Sequence, residues 1–356
     1  MSEGAAPMKS LLSLPLTAWL ACLMLFAGVA APFLLGSYEL NLLARFLAFA
    51  LAALGIVLTW GHGGILSLGQ GVFFGLGGYA LAMHMKLATL GEGELPDFMM
   101  WSGLDSLPWW WQPFENPAFA LFGVVLLPAL LAVLFGWAMF HRRISGTYFA
   151  LITQALALAF ATLLVSQQET TGGFNGLTDF QTLFGLDLLA PGTARLLYWI
   201  TLALVAAAVI GTSLLLRSRF GILLRATRDG ENRVRFLGYN PTPYKVIAFA
   251  LAAALTGLGG ALFTLHAGVI SPAMVGVIPS IEMIIWVAVG GRTSLIGALV
   301  ATLVVNFARD GISSAFPDLW LYTLGGLFIL AVTLLPKGLA GLGETAAAFR
   351  RKPAAV

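Results

Sequence analysis

The chain has 356 residues, of which 59% are hydrophobic and only 10% charged, with a mean hydropathy of +0.90 and a formal net charge of +3. Soluble domains carry roughly a quarter charged residues, so this composition excludes an ordinary globular domain and predicts an all-α polytopic membrane protein. The small, locally concentrated positive charge gives no support to nucleic-acid binding, and a single cysteine, Cys22, excludes an intrachain disulfide framework.

In chain order, apolar runs fall at 16–35, 40–60, 64–83, 119–140, 148–165 and 196–216. Most approach the roughly 20 residues that a helix needs to cross about 30 Å of hydrocarbon. The first has features of a signal peptide: Lys9 precedes it and a small-residue patch follows at 27–31. An even number of crossings with both ends on one side requires it, so it is expected to remain as a span. Beyond a basic stretch come 246–265, two shorter pieces at 281–289 and 295–307 divided by Gly290-Gly291-Arg292, and 319–335. Each short piece is brief for a crossing. They read as two spans joined by a tight turn or as one re-entrant pair. The result is about ten transmembrane or re-entrant segments, organised as an N-terminal tail at 1–15, a membrane domain at 16–336 and a C-terminal tail at 337–356, both tails cytoplasmic.

The connecting loops alternate in charge. Lys86 stands against Glu92, Glu94, Asp97, Asp105 and Glu115 after the third run, and Glu169, Asp179 and Asp187 follow the fifth, so both loops read as outside. Arg142 and Arg143 after the fourth run, and Lys337, Arg350, Arg351 and Lys352 against Glu344 in the tail, read as inside by the positive-inside bias. Trp101, Trp109, Trp110 and Trp111 suit an outer interface belt or a small core within the loop.

The most charged stretch is 217–245, RSRFGILLRATRDGENRVRFLGYNPTPYK, with seven cations against Asp229 and Glu231. Leu215, Ile222, Leu223, Ala226, Val234 and Leu237 recur at roughly helical spacing, and Gly238, Asn240, Pro241 and Pro243 end the pattern. It reads as a short helix along the cytoplasmic membrane surface, either gripping anionic lipid or meeting a partner.

Chemistry-bearing motifs are few. None of the five lysines is preceded by the glycine of a phosphate-binding loop, so ATP is not expected to bind by that route. His62, His84, His141 and His266 lack ligand spacing, so no metal site is expected, and no nucleophile with a base at workable spacing suggests catalysis. Polar groups in hydrocarbon are costly and hence candidates for function. Gln70, Thr153, Gln154 and Asn306 line a solute path or glue helices together, and Glu282 is the carboxylate inside an apolar run. Arg45 is expected to snorkel to the interface. Gly71, Gly75 and Gly78, with Gly257, Gly259 and Gly260 and with Gly325 and Gly326, read as close helix packing.

The strings GILSLGQGVFFGLGGYALAMHM (64–85), RISGTYFALITQALALAF (143–160), TGGFNGLTDF (171–180), SPAMVGVIPSIEMIIWVAVGGRTSLIGALVATLVVNF (271–307) and AFPDLWLYTLGGLFILAVTLLPKGLAGL (315–342) carry a resemblance. Over roughly 40–342 the chain resembles the LivM-type permeases of branched-chain amino-acid ABC importers, and within them the urea-importing, UrtC-type branch. That resemblance implies a multi-pass inner-membrane subunit that works with a second permease chain, two ATPase subunits and a periplasmic binding protein. ATP and Mg would be used by the ATPase partners and no cofactor bound by this chain. It implies that 217–245 is the ATPase-coupling loop, with Arg225, Arg228, Asp229, Glu231 and Gly238 on the family pattern, and that Asn175 and Asp179 help receive the binding protein or shape the entrance. Urea or a short amide is the implied substrate, with branched-chain amino acids as the alternative. A passive channel or an ion-coupled carrier is the competing class. A carrier would usually show more intramembrane carboxylates than Glu282 alone.

Overall fold

The computed structural model describes residues 16–91, 94–188, 190–316, 319–334 and 338–341. Tail 1–15, and tail 337–356 apart from 338–341, lie outside them, as do Lys9, Glu92, Lys337, Glu344, Arg350, Arg351 and Lys352.

The long helices, numbered in chain order, are α1 (Leu16–Leu34), α2 (Ser37–Ile56), α3 (Gln70–Leu87), α4 (Pro117–His141), α5 (Thr147–Ser166), α6 (Pro191–Arg217), α7 (Arg219–Phe236), α8 (Pro241–Ala267), α9 (Val277–Gly290), α10 (Leu295–Ala315) and α11 (Leu319–Leu334). Each of the ten apolar runs is therefore helical, and α7 is the charged stretch. Among the described residues six helices are long and apolar enough to cross a bilayer: Ser37–His62, Pro117–His141, Thr147–Ser166, Gly192–Arg217, Pro241–Ala267 and Leu295–Ala315. The chain is a polytopic helical membrane protein.

Several boundaries differ from the sequence expectation, each for a local reason. The third run does not start at residue 64. A π-helical turn, Val57–His62, carries α2 on, and the chain is irregular until Gln70. Gly64 sits there at φ +67°, which a side chain would resist, with Arg228 packed against it. Pro241 opens α8 instead of ending α7, because a proline at the first helical turn loses no hydrogen bond and the Asn240 side chain caps it by accepting from Thr242 N at 3.1 Å. Residues 217–245 are thus α7 together with the ends of α6 and α8. The two short pieces lengthen to 14 and 21 residues: α9 begins at Val277, and α10 continues through Arg309 and Asp310. They form an antiparallel pair joined at 291–294, in which α10 is long enough to cross and α9, at about 1.5 Å per residue, is not.

The centre of the bundle is α2, α3 and α8, buried almost throughout, while α4, α5 and α6 present Leu, Phe, Val and Ile outward as lipid-facing helices do. The three central helices approach closely through glycine. A Cβ on Gly77 of α3 would strike the Gly257 backbone of α8, and one on Gly257 would lie 2.5 Å from Pro128 Cγ and 2.7 Å from Val124 O of α4. Gly71 and Gly75 pack against Val275, and Gly259 against Ala48 O. Gly325 and Gly326 meet nothing within 4 Å, so the packing reading fails for that pair among the described residues.

The two ends of the bundle are distinct. At one, Arg228 of α7 reaches Gly61, Gly61 abuts Arg292, Gly338 abuts Gly291, and His141 and Arg143 lie beside Arg235 and Asn240. At the other, Leu177 and Thr178 pair antiparallel with Ile270 and Val269, Trp111 Nε1 donates to Thr170 O at 2.9 Å, and His84 Nδ1 lies 2.8 Å from Phe114 O. Trp101, Trp109 and Trp110 are exposed at that end, while Trp111 packs on Phe114 in a small loop core.

Candidate functional site

Between α2, α8, α9 and α10, with Phe74 contributed by α3, lies a cavity of about 400 Å³, in the range of small-molecule sites. Its floor is aromatic. Phe49 stacks on Phe263 with centroids 4.9 Å apart and meets Trp286 at 5.0 Å, and Phe74 lies 5.6 Å from Phe263. Its polar wall is a stripe on α10, Asn306, Arg309, Asp310 and Ser313, at the i, i+3, i+4, i+7 spacing of one helix face. Arg45 of α2 and Glu282 of α9 complete it.

Glu282 is 4% exposed and fully engaged: Arg309 Nη1 donates to Oε2 at 2.5 Å and Trp320 Nε1 donates to Oε1 at 3.3 Å. This pairing makes a buried carboxylate tolerable. Asn306, 1% exposed, donates from Nδ2 to Thr302 O at 2.8 Å, while its Oδ1 is buried with no partner. Arg45 is half-buried in the first half of α2. Its Nε donates to His266 O at 3.2 Å and it lines the cavity.

The other path candidates are elsewhere. Gln70, at the start of α3, accepts from Thr256 Oγ1 at 3.3 Å. Thr153 accepts from Leu68 N at 2.9 Å and donates to Ala150 O at 2.8 Å, tying α5 to the irregular segment before α3. Gln154 is half-buried beside it. Asn175 and Asp179 are exposed at the strand-paired end, where Asp179 accepts from Thr178 Oγ1 at 2.8 Å. The structure thus brings together Glu282 and Asn306 and leaves Gln70, Thr153 and Gln154 outside. Sequence reasoning missed Arg309 and Asp310 because the apolar run stops at Phe307. Extending the helical spacing from Asn306 by one turn finds both.

A second assembly surrounds α7. It buries Gly221, Leu224, Thr227 and Val234, whereas Ile222, Ala226 and Leu237, expected on the apolar face, are exposed, as is Phe236. The helix changes direction at Gly230. Arg225 Nη1 donates to Leu216 O at 2.9 Å, and Arg228 Nη1 to Gly61 O at 2.6 Å while its Nε pairs with Asp229. Glu231 bridges Arg235, at 2.8 Å, and Lys245 of α8. Gly238, at φ +87°, makes the left-handed turn towards α8.

Burial pushes the Glu231 carboxyl up, but the hydrogen bonds from Lys245 and Arg235 outweigh it and hold the group below its ordinary value. The Arg228 hydrogen bond likewise lowers Asp229. A carboxyl depressed in the folded state stabilises it above the unfolded value of about 4.3, and that contribution disappears as pH falls through the folded value. Relative to the intrinsic exchange rate at each pH, amide protection across 219–240 is therefore expected to be high at pH 7 and to fall selectively below about pH 4. Glu231→Gln should show fast exchange, relative to wild type, already at pH 7.

The family model described as "Branched-chain amino acid transport system / permease component" matches residues 38–332. The chain is 27% identical to the high-affinity branched-chain amino acid transport system permease protein LivM of Salmonella typhimurium and to that of Escherichia coli, covering 89% of this chain and 73% of each relative. It is 22% identical to the corresponding protein BraD of Pseudomonas aeruginosa, over 83% of this chain and 92% of that one. No solved structure matches.

Proposed function

The chain belongs to the family of branched-chain amino acid transport system permease components, and from that premise we propose that it is a transmembrane subunit of an ATP-driven importer for branched-chain amino acids. The observation that carries the substrate is the cavity: aromatic walls, with one unpaired cation and one unpaired anion among the described residues, suit a small zwitterion with an aliphatic chain. The urea-importing branch suggested by the sequence has less support. The uncharged side chains Gln70 and Thr153 are already engaged in the fold, and urea has no apolar part to fill an aromatic floor.

In this reading the arginine-rich end faces the cytoplasm, the ten apolar helices cross or enter the inner membrane, and both termini are cytoplasmic. α7 is the surface that meets an ATPase subunit. Ile222, Phe236 and Leu237 are exposed on a charged helix at that end, which suits a protein groove better than water. Arg225, Arg228, Asp229, Glu231 and Gly238 hold that surface against the membrane helices. The partners are a second permease chain, two ATPase subunits that use ATP and Mg, and a periplasmic binding protein received at the strand-paired end near Asn175 and Asp179.

Uptake into cells lacking this chain, with and without its restoration, tests the reading. Restored leucine uptake that an energy poison abolishes and excess urea ignores is expected. Restored, poison-sensitive urea uptake would move the substrate to urea, and uptake that survives the poison would indicate a channel.

A further inference from the structure

Building on the branched-chain amino acid reading, we infer that the cavity between α2, α8, α9 and α10 holds the transported amino acid, with Asn306 Oδ1 and Asp310 receiving its ammonium, Arg45 its carboxylate, and the Phe49, Phe74, Phe263 and Trp286 cluster its aliphatic chain.

Asn306 sets the polarity of the ligand. Its amide nitrogen is spent on Thr302 O, and its oxygen faces no donor although the residue is 1% exposed. An amide oxygen only accepts, so whatever satisfies it brings an N–H or O–H. Leaving it unsatisfied is costly.

The charges divide cleanly. Glu282 and Arg309 neutralise each other, and Glu282 also accepts from Trp320, so the carboxylate is fully engaged and the pair offers a ligand no net charge. Arg45 has only its Nε committed, to His266 O, and pairs with no carboxylate among the described residues. The terminal nitrogens left over present the fork that matches a carboxylate in a bidentate grip. Asp310, one residue beyond Arg309 on the same helix face, is exposed at the cavity and unpaired among the described residues. One cation and one anion remain, on α2 and α10, matching the two charges of an α-amino acid. Below them the stacked rings offer apolar surface, which rewards a branched aliphatic chain and gives a polar solute nothing.

The test uses the complete importer in proteoliposomes with its binding protein. Photo-leucine, the diazirine analogue of leucine, is irradiated during turnover of the wild type, and adducts are mapped by mass spectrometry. Adducts on Phe49, Phe74, Phe263 or Trp286 are expected. Adducts confined to other helices, or none while the probe is transported, would overturn the assignment. In parallel, Asn306→Leu and Arg45→Gln should lower leucine uptake about tenfold or more, the scale of one lost hydrogen bond to a charged group. ATPase stimulation by loaded binding protein should persist in both. Wild-type uptake in both variants would overturn the assignment alone. If stimulation is lost as well, the wild-type crosslink decides. A wild-type importer that moves no leucine would instead remove the substrate reading on which this site rests.

Discussion

Reversing charge at Arg225 and Arg228 together, as Arg225→Glu with Arg228→Glu, is expected to reduce ATP-driven uptake to background while leaving the protein inserted. Each guanidinium makes a charge-assisted hydrogen bond to a backbone carbonyl, Arg225 to Leu216 at the end of α6 and Arg228 to Gly61 at the end of α2. Such bonds contribute about 1.5–3 kcal/mol each. Reversal removes both and sets carboxylates against carbonyl oxygens. Insertion should survive, because the hydrophobic spans carry it and the two arginines lie on a helix outside them.

The expected severity follows from where Gly61 sits. The π-helical turn Val57–His62 continues α2, and at about 1.5 Å per residue Gly61 lies about 24 Å along that helix from Arg45. A push on α7 from a closing ATPase would reach Gly61 through Arg228 and move a helix whose far half carries Arg45, Phe46 and Phe49 at the cavity. Cutting the Arg228 bond is therefore expected to separate ATP hydrolysis from the proposed substrate site. Uptake and ATPase co-purification measured on the double variant check this. Normal values for both would remove α7 from the coupling path.

Gly257→Val should strongly destabilise the fold and lower the yield of folded protein. Three helices meet at Gly257: the Gly77 backbone of α3 abuts it, and a Cβ would sit 2.5 Å from Pro128 Cγ and 2.7 Å from Val124 O on α4. Backbone and a proline ring cannot rotate aside, so α4 or α3 must separate from α8. Overpacking a core costs typically about 1–3 kcal/mol and more where backbone is struck, a large part of a membrane domain's margin. Gly325→Ala is the control, since nothing lies within 4 Å of a Cβ there. Expression and thermal denaturation in detergent should separate the two, and a Gly257→Val protein melting as wild type would contradict the helix crossing described here.

Some of this was legible in the residues. The apolar runs mark every long membrane helix, because a segment in hydrocarbon must satisfy its own backbone and so advertises itself by length and hydropathy. The charge alternation of the loops agrees with the two ends of the bundle, since arginines at 142–143, 217–235 and 292 gather at one of them. Helix ends were less legible, because caps decide them and hydropathy does not register caps. Pro241 with Asn240 starts a helix where a proline run reads as a stop, and α10 runs on through Arg309 and Asp310 where the apolar count ends.

Composition and spacing were enough to read the class of molecule, its apolar helices, the charged helix α7 and Glu282 as a carboxylate in need of a partner. These are local properties, set by composition and spacing along a single segment. It took the packing of helices against one another to settle which partner Glu282 takes, that Arg45 donates to His266 O beside the cavity, and that Gln70 and Thr153 stay outside that cavity. Arg309 is 27 residues from Glu282, and His266 is 221 from Arg45. Contacts over such separations are fixed by how helices cross, here at Gly77 and Gly257, and no periodicity within one helix records where another will lie.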